Sequence, residues 1–231
     1  MLLGEPALQR LSSAHAVVVG VGGVGAYAAE MLVRAGVGHL AIVDSDTVSR
    51  SNINRQLIAL NSTVGKSKTE VLGARLLDIN PALDLSCIEC YVDESNVSDI
   101  LPAADVVIDA IDTLSPKIAL IQHCLRVGIP LVSSMGSGAK LDVTKVRIAD
   151  ISRTRMCPLA HMLRKRLHKL GITTGFLAVY SEEEPVREAT VMEESRNKKS
   201  QVGSVPYLPA VFGCACAQAA LCRIAGIGEN D

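Results

Sequence analysis

A doubly wound α/β fold with a mostly parallel sheet is what this sequence predicts, and three observations predict it. Short strand-like runs recur at 16–19, 40–43, 84–90, 105–109 and 130–134; helical patterns separate most of them; and the first run ends in a glycine cluster. Parallel neighbours need long crossovers, and helical crossovers cover both faces of the sheet. A chain of 231 residues suits one large domain or one domain with a small lobe, and its 48% apolar content supplies a core without disulfide or metal.

The elements follow in order. Val17-Val18-Val19 is a β-branched run suited to a buried strand, and Ala26 to Leu32 continue as a helix after the glycines. Leu40 to Val43 form a second strand. A helix is expected over 65–79, where Val71, Leu72, Leu76 and Ile79 keep one face and Pro81 follows the end. Another is expected from Pro116 to Val127, and a further strand, Thr144 to Ala149, opens the second half. Residues 153–169 then carry Arg153, Arg155, Arg164, Lys165, Arg166, Lys169, His161 and His168 with no acid, while Leu159, Leu163, Leu167 and Leu170 fall at helical spacing. That is an amphipathic basic helix, fit either to be a solvated face or to meet a polyanion. Strand-like Phe176–Tyr180 follows, and Glu188–Gln201 reads as an exposed loop.

Composition excludes several classes. Aromatics make up 3% with no Trp, which argues against extended base-stacking platforms, and the net charge of −1 rules out a chain basic throughout. Seven cysteines without a secretion signal indicate a reducing cytoplasm. From Val202 to Cys222 no residue is charged, but Pro206, Pro209, Gly213 and Gln218 interrupt the run, and its Ala, Cys and Gly residues suit packing on a helix or partner subunit better than lipid. No stable membrane insertion is expected. The only C-x-x-C is Cys87–Cys90, without a second pair, so no structural zinc is expected. Cys214, Cys216 and Cys222 read as buried small hydrophobes.

Chemistry concentrates between residues 17 and 68. Gly20, Gly22, Gly23 and Gly25 join the first strand to a helix, so backbone N–H groups and the helix dipole face an anion, as in a Rossmann-like nucleotide site. Asp44 stands at the tip of the second strand, roughly 20 residues beyond Gly25, where a carboxylate accepts from ribose hydroxyls. Asn52, Arg55 and Gln56 follow in the next loop, and Lys66 and Lys68 begin the next helix, a poor place for lysine unless an anion is near. The fourth strand ends D-A-I-D, so Asp109 and Asp112 reach the same edge, where one of them can hold Mg²⁺ through waters and phosphate oxygens. A nicotinamide dehydrogenase has no special need of these cations.

The runs G-V-G-G-V-G, D-S-D, S-N-I-N-R-Q, V-G-K-S-K and D-A-I-D, in this order and spacing, resemble the adenylating superfamily of ubiquitin-activating, molybdopterin- and thiamine-pathway enzymes. The resemblance implies ATP and Mg²⁺, attack of a carboxylate on the α-phosphate, and loss of pyrophosphate from an acyl-adenylate. It implies Asp44 and Asp46 near the ribose, Asn52, Arg55, Gln56 and Lys68 around the phosphates, and Asp112 at the metal, with Arg55, Lys68 and Asp112 as the catalytic set. Beyond residue 150, D-I-S-R-T-R-M-C-P-L-A, V-Y-S-E-E and G-S-V-P-Y-L-P-A-V-F-G are similar to the branch that dehydrates threonylcarbamoyladenosine in tRNA. That branch implies cyclisation of the adenylate to a hydantoin-type ring, tRNA as partner, and a use for the basic residues against its backbone. A homodimer, a monovalent cation and a sulfur-transfer protein partner complete the expectation. Residues 1–150 are then the ATP-binding unit and 151–231 its extension, within one domain.

Two other readings stay open on the residues alone: adenylation of the C-terminus of a ubiquitin-like sulfur carrier, and a nucleotide-binding scaffold without catalysis. The superfamily supplies an arginine from an N-terminal segment to its partner subunit; this chain opens Met1-Leu2-Leu3-Gly4, and Arg10 is not an evident counterpart. Cys157, before Pro158 in the basic stretch, is the candidate for any covalent role.

Overall fold

Seven strands form one sheet in the order β3-β2-β1-β4-β5-β7-β6. They are β1 (His15–Val19), β2 (His39–Val43), β3 (Asp84–Ile88), β4 (Val106–Asp109), β5 (Leu131–Ser134), β6 (Val146–Asp150) and β7 (Leu177–Ser181). The computed structural model describes residues 2–101, 103–191 and 201–227. All neighbours pair in parallel except β6, which runs antiparallel to β7 at the edge. Strand β7 lies between β5 and β6, so the segment after residue 150 enters the same sheet.

Period-two alternation in the strands buries both faces. Ala16, Val18, Ile42 and Ile108 point to one side, and Val17, Val19, Val43 and Val107 to the other. On the first side lie α1 (Glu5–Ser13), α2 (Gly25–Arg34), α3 (Lys68–Ile79) and α7 (Tyr207–Ala225), through Leu11, Leu32, Leu72, Leu76 and Phe212. The second side takes α4 (Val97–Ile100), α5 (Leu114–Val127) and α6 (Pro158–His168), through Val97, Leu120, Ile121, Leu163 and Leu167. Glu30 of α2 joins its helix to α3: its carboxylate accepts from Arg75 at 2.6 Å and from Arg34 at 2.8 Å.

Several boundaries differ from the sequence reading. The helix expected from residue 65 starts at Lys68, because residues 47 and 48 pair back onto 65–67. The third strand stops at Ile88, leaving Cys90 outside it. The basic helix starts at Pro158, so Arg153 and Arg155 precede it. Of the loop expected at Glu188–Gln201, the ends form a two-residue antiparallel ladder, β8 (Thr190–Val191) with β9 (Gln201–Val202); residues 192–200 lie outside the described residues. Helix α1 had no expectation.

Helix α7 is long and apolar enough to cross a membrane, yet its Leu208, Phe212, Cys216 and Ala220 are fully buried in the core against the sheet and α2. Cys214 is exposed and Cys222 half-buried, so of the three cysteines expected inside only Cys216 is buried. Burial pushes the Cys216 thiol up to about 12, so it packs as a neutral side chain. Among the described residues no cluster of His, Cys, Asp or Glu is arranged to hold a metal. Gly213 brings α7 onto α2 so closely that a Cβ there would stand 2.5 Å from the Val24 carbonyl oxygen and 2.7 Å from Tyr27 Cβ. Gly213→Val is therefore expected to cost about 1–3 kcal/mol or more in urea unfolding, since backbone rather than a flexible side chain must move.

Candidate nucleotide-binding site

Strand register builds the site. Val19 pairs with Val43 on one side and Asp109 on the other, so Gly20, Asp44 and Ala110 leave the sheet at one level. The strand order reverses between β1 and β4, and a ligand crevice opens outside the carboxyl ends of such strands. Gly20 has φ +87, and a Cβ on it would stand 2.9 Å from the Ala110 carbonyl oxygen. A Cβ on Gly25 would lie 1.8 Å from the Gly20 carbonyl oxygen, so only glycine lets α2 start this close to β1.

Around the loop stand the residues expected from the sequence. Asp44 turns its carboxylate back to the loop: Oδ2 accepts from the Val21 N–H at 2.8 Å and Oδ1 from the Asp46 N–H at 2.9 Å. Burial pushes its carboxyl above the ordinary aspartate range, against the opposing pull of Lys68 and these two N–H groups. Lys68 is buried at the first turn of α3, its Nζ 2.7 Å from Asp46 Oδ2 and 3.9 Å from Asp44 Oδ1. The conflict between a lysine and a helix N-terminus is thus answered inside the protein by two carboxylates.

Asn52 ends a 3₁₀ turn (Arg50–Asn52) and accepts from the Ser49 N–H at 3.1 Å. Arg55 donates to the Ser51 carbonyl at 2.9 Å and to Asn54 Oδ1 at 2.8 Å, with its Cγ 3.6 Å from where a Gly23 Cβ would be. Gln56 lies against Gly22, and its Oε1 is buried with no hydrogen-bond partner. An unsatisfied buried acceptor is costly, and beside a glycine loop it fits a bound polar ligand. Lys66 is exposed.

The two aspartates of D-A-I-D part company. Asp112 is exposed, in the loop 110–113 at the mouth. Asp109 is fully buried and accepts from Lys117 Nζ at 2.6 Å. Lys117, equally buried, was not anticipated as a site residue. Its signal was a charge on the apolar face of the predicted helix, in line with Leu120, Ile121 and Cys124.

The six cations expected to meet RNA are not alike. Arg153, Lys165, Arg166 and Lys169 are exposed. Arg155 is also exposed but pairs with Glu182, its Nε 2.7 Å from Oε1, and half-buried Arg164 donates to the Thr154 carbonyl at 2.6 Å. Cys157 is buried at the start of α6, and Arg10 donates to the Ala225 carbonyl at the end of α7.

What separates this mouth from a dinucleotide pocket is the charge beyond Asp44, and with that charge the fold is of the E1-like adenylating class. The chain belongs to the ThiF family, whose model matches residues 1–231. It is 40% identical over 222 residues to the tRNA threonylcarbamoyladenosine dehydratase of Bacillus subtilis, covering 92% of this chain and 87% of that protein. Its identity to the Escherichia coli enzyme of the same name is 44% over 167 residues, 72% of this chain and 62% of that one. The crystal structure of E. coli tRNA N6-threonylcarbamoyladenosine dehydratase, TcdA, in complex with ATP superposes with a TM-score of 0.90 at 36% identity, over 97% of this chain and 91% of that chain.

The raised pKa of Asp44 has a consequence for stability. Its ionised form is penalised in the folded state, and the penalty grows as pH rises from the ordinary value of 3.8 through the higher folded one. Asp44→Asn leaves one of the Val21 and Asp46 N–H groups without its acceptor, so its thermal midpoint in the ATP-free protein is expected to lie below the parent's near about pH 4, with the gap narrowing as pH rises to about 7. ATP affinity, measured by calorimetry, should fall by about tenfold or more with the loss of a charged acceptor.

Proposed function

We propose that this chain is an ATP-dependent enzyme that adenylates the threonylcarbamoyl carboxylate of a modified adenosine in tRNA and drives its dehydrative cyclisation. The observation that carries the reading is the match to the B. subtilis dehydratase, which runs through the nucleotide mouth and on into the segment with the basic helix. In this reading residues 1–150 form the ATP-binding unit and 151–231 its extension, within one domain.

The roles follow from placement. The glycine loop and the first N–H groups of α2 receive phosphate oxygens, and Asp44, with Asp46 beside it, receives the ribose. Lys68 already sits between carboxylates, so a polyphosphate arriving next to Asp46 meets an ammonium held in position rather than one recruited from solvent. Arg55, with Asn52 and Gln56, lines the other side of the loop and offsets charge on the departing pyrophosphate. Asp112, exposed in the loop 110–113, would hold Mg²⁺, which supplies charge neutralisation on the phosphates when bound. The substrate carboxylate attacks the α-phosphorus, pyrophosphate leaves, and a nitrogen of the same modified side chain then closes on the activated carbonyl and expels AMP. The net change in the nucleoside is loss of one water.

Arg153, Lys165, Arg166 and Lys169 form the exposed cationic surface for tRNA, with Arg155 and Arg164 held beside them by Glu182 and Thr154. Exposed Ile53, Leu60, Val64 and Tyr207, on the segment around Arg55 and the start of α7, support a homodimer that covers them. Seven unpaired cysteines fit a cytoplasmic protein.

With ATP, Mg²⁺ and tRNA bearing threonylcarbamoyladenosine, mass spectrometry of the digested nucleosides is expected to show the modified base lighter by one water. An unchanged mass, or an adenylate formed instead on a small carrier protein's C-terminus, would overturn the reading. Asp112→Ala should lower turnover by about 100-fold or more while ATP binding falls far less. Reversing charge at Lys165, Arg166 and Lys169 together should weaken tRNA binding and flatten its salt dependence by about 2–3 units of slope; an unaltered slope would return this surface to ordinary solvation.

A further inference from the structure

Outside the phosphate site, Lys117 and its partner Asp109 carry charge with no exposure at all. The three N–H bonds of the Lys117 ammonium have three acceptors: Asp109 Oδ2 at 2.6 Å, the Ser134 carbonyl at 3.0 Å and Ser133 Oγ at 3.2 Å. Ser133 Oγ in turn donates to Asp109 Oδ2 at 2.6 Å, and Asp109 Oδ1 accepts from the Ile111 N–H at 3.1 Å. One ammonium thus joins the end of β4, the end of β5 and the first turn of α5. The loop 110–113 is tied to the same carboxylate.

Such a network is a poor way to gain stability. Replacing a buried ion pair by apolar residues of similar volume is often neutral or stabilising, because desolvation offsets the attraction. Lysine in the face occupied by Leu120, Ile121 and Cys124 therefore calls for another reason. The geometry supplies one. Ala110 donates to the Val19 carbonyl at 2.8 Å and fills the space that Gly20 and Gly25 leave open, so the loop 110–113 and the glycine loop share a wall.

We propose that Lys117 is a positioning residue: by fixing Asp109 it holds the loop 110–113, and Asp112 with it, in register with the glycine loop. The inference rests on the adenylation reading, which assigns Asp112 to the metal. Lys117 does not touch the ligands; it acts through Asp109 and the loop.

The test separates position from folding. Lys117→Met alone strands a buried carboxylate and is expected to unfold. The double variant Lys117→Met with Asp109→Leu removes both charges and is expected to keep a thermal midpoint near that of the parent, with magnesium-free ATP affinity within about threefold. Its gain in ATP affinity on adding Mg²⁺ should vanish, and kcat for pyrophosphate release should drop by about 100-fold with KM for tRNA unchanged. A folded double variant with the parent's magnesium response and kcat overturns the proposal. Should the double variant not fold, Ser133→Ala carries the test. It is expected to lower kcat and the magnesium response by roughly 3–10-fold at an unaltered midpoint, and parent-like values overturn the inference. A parent protein whose ATP affinity ignores Mg²⁺ would instead sink the adenylation reading itself, and this inference with it.

Discussion

Where the strand order reverses, β1, β4 and the start of α2 approach until only hydrogen fits between their backbones. A Cβ at Gly25 would stand 1.8 Å from the Gly20 carbonyl oxygen, and one at Gly20 2.9 Å from the Ala110 carbonyl oxygen. That contact brings the start of α2, with its helix dipole, beside the loop at the edge of the sheet. It also sets the distance between the glycine loop and the loop 110–113. A side chain at either glycine would separate the loops and dissolve the shared mouth.

Charge at this mouth is held by counter-charge rather than by solvent. Lys68 is lodged with Asp46 and Asp44, and Lys117 with Asp109. Further along the same sheet edge Arg155 and Arg147 clasp Glu182. Groups fixed in this way need little reorganisation when an anion arrives, which is the condition under which electrostatic stabilisation is most effective. The buried Asp44 carboxylate shows the other side of that arrangement, since desolvation disfavours its ionised form despite Lys68 and two backbone N–H groups.

The fold was legible in the sequence because burial on both faces leaves a direct mark: continuous β-branched runs such as Val17-Val18-Val19, separated by helix-length segments. The glycine turn, Asp44 at the tip of β2 and Lys68 near the start of α3 were legible as positions, since each belongs to a short segment whose local geometry follows from residue type; between Asp109 and Asp112 the sequence left open which one reaches solvent. Less was legible where a partner distant in sequence decides. The start of α3 was misplaced because a bridge between Thr47 and Ser67 consumes the preceding residues. Arg155 and Arg164 both read as surface cations, but Arg155, though exposed, is paired with Glu182, and Arg164 is half-buried against Thr154. Cys214 and Cys216 share one small-residue run, yet the rotation of α7 on the sheet exposes one and buries the other.

The sequence by itself determined the class of the fold, the nucleotide-facing loop and the kinds of group around it, because periodicity and glycine spacing are local properties of the chain. Tertiary structure alone decided which of Asp109 and Asp112 faces solvent, where Lys117 spends its charge, and what holds Lys68 at a helix N-terminus. Those outcomes depend on desolvation and on pairing between segments far apart in the chain, and neither is written in the order of the residues.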